Sequence, residues 1–480
     1  MNDFATDEFK AALQKYEEAR EKGETVFLDA DDFADICEYY NLNGRTDEAF
    51  EVIDYAVSIY EDAALPLVMR ARMALVTEKN GEKAKAYLGK VANTADLDYV
   101  LMHAEIMLHE QHTEAARSYC EEVLQQLSDD DADDFVLDVA DLLCDYEQKE
   151  MALQWHQRHY SDLSSLEGRK MTAKLYYEND KFEESVVLLK EILDSDPYAH
   201  EEWTRLSITY LSLGQYPEAI ESAEYALAID PKFYLALSTK ANALYEMGNY
   251  DEAVTYYRRF LEIEQKNPFV HYFLGLSLVH QMRFEEVLVH LQKAEELIVN
   301  PTSEMMHELY QNIIEAYKAL GRAEDAFACV EKFSKYATSE LDVKLMFGDL
   351  CYAAGRYDEG KEAFSDIMRA VMVNTERFEE LTLKMGISLF YNKVFEQAIN
   401  LLLLFVESTE VKKGTPGFSF LSAAYLALGK TGEALIFLER AVTLNPGEAK
   451  DVLGGGFPEH LSPEEYYIYA KKMWKTGDKD

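Results

Sequence analysis

Residues 200–229 read HEEWTRLSITYLSLGQYPEAIESAEYALAI. Trp203, Leu206, Ser207 and Tyr210 recur at the spacing that brings side chains onto one face of a helix. Gly214 then breaks the pattern, and Tyr216-Pro217-Glu218 opens a second helix that carries Ala219, Ala223 and Ala226. Pro231 blocks its continuation, because proline has no N–H and crowds the preceding turn. The stretch therefore predicts two antiparallel helices joined by a tight turn.

The same phrase returns 34 residues on, with Ala241, Gly248, Tyr250 and Ala253 in the places of Ser207, Gly214, Tyr216 and Ala219. It returns again as Leu274-Gly275, Phe284 and Val287, and it stands 34 residues earlier as Ala173, Tyr176, Phe182, Ser185 and Pro197. Downstream copies are marked by Tyr317, Gly321 and Ala326; by Gly348, Gly355, Tyr357 and Phe364; by Gly386, Phe395 and Ala398; and by Tyr425, Gly429, Ala434, Ala441 and Pro446. Upstream, Tyr40, Gly44, Ala49 and Ala56 form a good copy, and fainter ones surround Ala84, Ala116 and Ala152, where the helix-breaking Gly and Pro are missing.

The order W-x2-L-G-x2-Y, A-x3-F, P resembles the tetratricopeptide repeat, and the likeness is to the kind common in bacteria such as Bacteroides. The resemblance implies an all-α, right-handed superhelical solenoid of about twelve antiparallel helix hairpins with terminal capping helices. Hairpins are expected to start near residues 30, 65, 97, 133, 166, 200, 234, 268, 307, 341, 379 and 415. Four segments follow: an N-terminal capping helix (1–29), divergent repeats (30–165), a regular array (166–446), and a Gly-rich turn with a C-terminal capping helix (447–480). Gly454-Gly455-Gly456 reads as a flexible turn, and Ser462 with Glu465 as a capping box. Extra residues around 300–302, 373–375 and 412–414 predict longer loops, and the polar stretches 128–134 and 161–165 predict hinges.

Composition bounds the function. The formal net charge is −42, so phosphate backbones and anionic lipid are repelled, and neither nucleic acid nor a membrane is an expected partner. Basic proteins or peptides fit that charge. The opening MNDFATDEFK has no apolar run, so no signal peptide is expected, and five scattered cysteines predict no disulfide framework and a reducing cytoplasm. Gly429-Lys430-Thr431 lacks the earlier glycine of a phosphate loop, since Ala424 stands there. Asp129, Asp131 and Asp133 lack the glycine and glutamate of a calcium loop. His109/His112 and His156/His159 have two-ligand spacing but no third ligand. Neither an enzyme activity nor a cofactor or metal is expected.

The resemblance implies that the first helix of each hairpin lines a groove that takes a peptide or partner domain, which makes the chain a scaffold or adaptor. Self-association into a homo-oligomer, or service as a regulatory accessory of an enzyme complex, are its rivals. Groove positions are mostly acidic: Glu201, Glu315, Asp342, Asp349 and Glu380. Lys170, Lys174, Arg205 and Asn242 differ, and resemble in part the clamp by which some tetratricopeptide co-chaperones hold a C-terminal acidic tail. Lys174 and Arg205 replace that clamp's asparagines, and Leu235 and Thr239 its last two cations. These four residues, with the aromatics Tyr245 and Tyr272, are the candidate peptide- or anion-binding set. Phe269, Tyr352, Phe390 and Tyr391 also project toward the groove in this register.

Overall fold

The structure, a computed structural model, describes residues 4, 6–42, 45–299, 301–373 and 375–474. Gly44, Asn300 and Asn374, which mark a turn and two insertions in the sequence, lie outside the described residues, as do the last six residues of the expected C-terminal cap. Among the described residues there is helix and no strand. No helix among them is long and apolar enough to cross a membrane.

Helix Asp7–Lys22 comes first, with Thr6 as its N-cap and Gly23 as its left-handed C-cap. Among the described residues twelve hairpins follow, numbered in chain order. Hairpins 1 to 6 are Ala30–Leu42/Thr46–Ile59, Ala64–Val76/Gly81–Leu88, Leu97–His109/Thr113–Leu124, Asp129–Asp145/Lys149–His159, Leu166–Glu178/Phe182–Ser195 and His200–Ser212/Tyr216–Ile229. Hairpins 7 to 12 are Tyr234–Glu246/Tyr250–Leu261, Pro268–His280/Phe284–Leu297, Ser303–Ala319/Ala323–Phe333, Glu340–Ala353/Tyr357–Val373, Phe378–Tyr391/Phe395–Ser408 and Phe418–Ala427/Thr431–Leu444. The sequence register places every first helix within a few residues of where it is found. The chain divides into two compact units, Met1–Thr239 and Lys240–Asp480. Within each, a hairpin packs on the next through its second helix, joined in hairpins 1 to 4 by close packing of successive first helices.

Among the described residues, nine of the hairpins share one device. Two residues twelve apart, one on each helix, meet where the backbones cross. The hydroxyls of Ser207 and Ser422 donate to the carbonyls of Ala219 and Ala434 at 2.6 and 2.9 Å, and Ser185 donates to Ala173 at 2.9 Å. Cys37 and Ala49, Ala104 and Ala116, Ala140 and Ala152, Ala241 and Ala253, and Gly386 and Ala398 stand at the same spacing, all buried. In hairpin 10 both partners are glycine: a Cβ on Gly360 would stand 3.2 Å from the carbonyl of Gly348. Small side chains are needed because the helices approach backbone to backbone.

The turn between the two helices explains why the divergent region folds alike. In five hairpins its apex is a glycine at positive φ: Gly214, Gly248, Gly321, Gly355 and Gly429. In six others the same left-handed position is held by Lys79, Gln111, Glu147, Asp180, Met282 and Lys393. The geometry survives without its sequence signal, at a steric cost. Gly429-Lys430-Thr431 is such a turn, with Thr431 opening the second helix of hairpin 12.

Four expectations need correction. The residues before Met306 lengthen a helix instead of a loop, since Ser303–Ala319 gains a turn capped by Thr302. The stretch 128–134 is not a break between helices, because it opens helix Asp129–Asp145. In the stretch 161–165, Ser161 is tied to Asp133 by its backbone N–H at 3.0 Å, and Ser165 caps the next helix. Gly454-Gly455-Gly456 is a 3-10 turn that follows an unexpected helix, Pro446–Leu453. Phe457 fixes it by stacking on Tyr466, ring centroids 4.1 Å apart. The capping box of Ser462 and Glu465 is present, with the carboxylate accepting the Ser462 N–H at 2.8 Å.

Ala253→Leu is expected to cost ~1–3 kcal/mol by overpacking the crossing of hairpin 7. Amide exchange should accelerate there and in adjacent hairpins first; uniform acceleration along the chain would contradict nearest-neighbour stacking. Gln111→Gly should leave the chain as stable or up to about 1 kcal/mol more so, by relieving a left-handed side chain. A clear loss in denaturant midpoint would show that the turn is not strained.

Candidate functional site

The first helices of hairpins 9, 10 and 11 lie side by side and enclose an open cleft of about 650 Å³. Ile314, Leu345, Met346 and Ile387 supply its apolar surface, and Tyr391, 67 % exposed, stands over one side. Each helix contributes from successive turns of one face, so residues separated by a whole repeat become neighbours. A second, more polar hollow adjoins it around His307, Asp342, Arg377 and Glu380.

The polar groups form two linked networks. Lys318 donates to Glu315 and Asp349, each at 2.7 Å. Burial opposes the charge on Lys318, but the two carboxylates outweigh it and hold its pKa above the ordinary lysine value. Asp349 also accepts from the Ser388 hydroxyl and, at 3.0 Å, from the Asn392 amide. Arg377 grips Asp342 at 2.6 and 3.1 Å and Glu380 at 2.9 and 3.0 Å. Lys384 donates to Glu380 at 2.6 Å. Hydrogen bonds from Arg377 and then Lys384 pull the Glu380 carboxyl down to about 2. Lys318, Arg377 and Lys384 are thus matched, while Glu304 adds a further carboxylate to the lining. The cleft itself is balanced, Glu315 and Asp349 against Lys318 and Lys384, and the surplus of negative charge comes from Glu304, Asp342 and Glu380 in the hollow beside it, where Arg377 adds one cation.

The first helices of the other unit are acidic as well. Burial, then neighbouring carboxylates, raises Asp98 and Asp138 above the usual range. Asp145 is raised by burial, with Lys174 opposing it.

The sequence-predicted cations stand in this acidic setting with partners of their own. Lys170 and Arg205 share the carboxylate of Glu202, only 2 % exposed, at 3.6 and 3.3 Å. Lys174 donates to Asp141 at 2.7 Å. A visiting carboxylate would have to compete with Glu202 and Asp141 for them. Asn242 belongs to the second unit, where its side-chain oxygen accepts from the Tyr257 hydroxyl at 2.7 Å. Tyr245 is half-buried and packs edge-on against Tyr250 and Phe273. Tyr272 donates to Glu308 at 3.4 Å, and burial followed by that carboxylate pushes its hydroxyl up to about 12. Tyr352, expected in the groove, is 4 % exposed core. Phe269 and Tyr391 are exposed, and Phe390 packs on Phe395 and Phe420.

Glu315 and Asp349 fall in the cleft, and Asp342 and Glu380 in the hollow beside it, where the repeat register puts them. Arg377 was not foreseen because it precedes the first helix of hairpin 11, in the insertion that breaks the 34-residue pitch. His156 is fully buried, its Nε2 within 3.2 Å of the Gly168 carbonyl, and His159 lies beside Glu121. Among the described residues no group of three or more His, Cys, Asp or Glu is arranged to hold a metal ion.

Because the folded pKa of Glu380 is depressed, its contribution to stability is complete above the unfolded carboxylate value and is lost as pH falls through about 2. Glu380→Gln is therefore expected to make the acid loss of protection in hairpin 11 shallower between about pH 4.5 and 2. An unchanged acid profile would mean that Arg377 does not hold this carboxylate.

Three family models described as tetratricopeptide repeat match residues 170–232, 210–276 and 419–448. A TPR repeat-containing protein of Methanocaldococcus jannaschii is 30% identical over 176 residues, 36% of this chain and 29% of that protein. Hsp70-Hsp90 organizing protein 3 of Arabidopsis thaliana is 26% identical over 111 residues, 23% of this chain and 20% of that protein. The matches span less than a third of these relatives' length. The crystal structure of the C-terminal part of a TPR repeat-containing protein from Cytophaga hutchinsonii aligns with 58% of this chain and 98% of that one, at 11% identity and a TM-score of 0.39. With its helix pairs and small-residue crossings, the chain carries tetratricopeptide repeats, matched by repeat models over residues 170–276 and 419–448.

Proposed function

We propose that this chain is a protein–protein interaction scaffold whose first-helix face holds an extended segment of another protein, rich in Lys or Arg and in aliphatic side chains. The observation that carries this reading is the cleft of hairpins 9 to 11, where apolar side chains from three successive helices adjoin a hollow lined by Glu304, Asp342 and Glu380. An aliphatic side chain would lose water against Ile314, Leu345 and Ile387, while a cation beside it would meet Glu315 or Asp349. Tyr391 offers a ring for cation–π or apolar contact. The relative named as an organizing protein for two other proteins is in keeping with the scaffold role.

The acidic first helices of hairpins 3 and 4 support the same polarity of partner. Lys170, Lys174 and Arg205 are proposed to keep those helices aligned through Glu202 and Asp141, and to offer an anion a secondary contact.

Peptides selected from a random displayed library on the immobilised full chain should be enriched in Lys or Arg beside aliphatic residues. Their affinity should fall about tenfold or more on Tyr391→Ala or Glu315→Gln, and should weaken as salt rises. Selection of acidic peptides, or affinity indifferent to both substitutions, would reject the reading.

A further inference from the structure

Residues 157–191 build a second cleft, of about 660 Å³, that the first-helix face does not include. Its apolar wall is Leu163 from the connection between hairpins 4 and 5, Tyr176, and Val187 with Leu188 from the second helix of hairpin 5. Val187 is 59 % exposed, although it lies on a helix whose neighbouring Val186 and Leu189 are buried. Arg169 also lines this cleft, and it is unlike the other arginines. Its Nε is buried and meets no acceptor. Among the described residues, every other arginine reaches a carboxylate or an aromatic ring, even Arg158 at 3.9 Å and Arg440 over Phe418. In a chain of net charge −42, an arginine left with neither a carboxylate nor a ring is the anomaly.

The surroundings hold Arg169 in place. Gly168 beside it lets the helix approach the connection so closely that a Cβ there would stand 2.6 Å from the Asp162 carbonyl. The buried His156 ring ties the Gly168 carbonyl to the second helix of hairpin 4 at 3.2 Å. Glu184 and Glu191, two turns apart on one helix face, are exposed at the edge of the same cleft. The lining therefore offers one unspent cation, an apolar wall and two carboxylates at the margin.

We infer that this cleft binds the C-terminal end of a partner polypeptide, with its terminal carboxylate on Arg169, an aliphatic last side chain against Leu163, Val187 and Leu188, and a basic side chain upstream facing Glu184 and Glu191. A terminal carboxylate matches the planar fork of a guanidinium and would give Arg169 the anionic partner it lacks. The glutamates disfavour a purely anionic ligand and favour one that carries a cation a few bonds from its carboxylate. This site is independent of the first-helix cleft, and either can fail without the other.

The test uses the full chain and fluorescein-labelled Gly-Lys-Ala-Leu, once with a free C-terminal carboxylate and once as the amide, followed by anisotropy. Saturable binding of the acid is expected, with the amide weaker by about tenfold or more. Arg169→Met should weaken the acid to the level of the amide, Arg169→Lys should fall between, and Val187→Asp should weaken both forms, with the helical signal and Tm of each variant unchanged. Equal affinity for acid and amide overturns the inference without any variant. So does unaltered binding by Arg169→Met, or binding of decanoate but not of the peptide, which would make the cleft a site for a free carboxylate.

Discussion

The closest approach of two helices in each hairpin is the constraint on which the rest of this molecule depends. Ser207 donates across it to the Ala219 carbonyl, and a Cβ on Gly360 would stand 3.2 Å from the Gly348 carbonyl. That contact fixes how the second helix lies on the first, and so which faces remain to pack on the next hairpin. A single hairpin cannot bury its apolar surface alone, and stability accrues from stacking. Helix Asp7–Lys22 packs on the first hairpin of one unit, and Pro446–Leu453 with the Phe457–Tyr466 stack covers the last hairpin of the other.

Stacking in register also makes the cleft. Glu315, Asp349 and Asn392 come from three hairpins, yet they belong to one hydrogen-bonded network through Lys318 and Ser388. No loop is needed to bring them together, because equivalent positions on parallel neighbours fall side by side. The networks are built from matched charges, which gives the face a fixed arrangement before a partner arrives and leaves the remaining carboxylates to set its sign.

Much of this was legible in the sequence, for a physical reason. The small residues twelve apart and the left-handed glycines answer local steric demands, and local demands leave local signals. Hairpins 2 to 4 lack the glycines, but Lys79, Gln111 and Glu147 adopt the same backbone conformation, so the register of alanines located them where the turns alone could not. The acidic character of the first-helix face was legible too, since it follows from repeat position. The pairing of charges was not. Whether Lys174 faces a ligand or Asp141 depends on the angle between hairpins, which no repeat position records. Arg377 escaped notice because it sits in an insertion, and Tyr352 was placed in the groove where its ring turns into the core.

The central claim is that the first-helix face of hairpins 9 to 11 is a surface made to receive a basic, partly aliphatic chain. The most direct measurement is a crystal structure of the protein with a bound peptide. The account predicts the peptide extended across Ser303–Ala319, Glu340–Ala353 and Phe378–Tyr391, with a cation within hydrogen-bond reach of Glu315 or Asp349 and an aliphatic side chain beside Tyr391. A peptide seated only on the second helices, with this cleft filled by solvent, would contradict it.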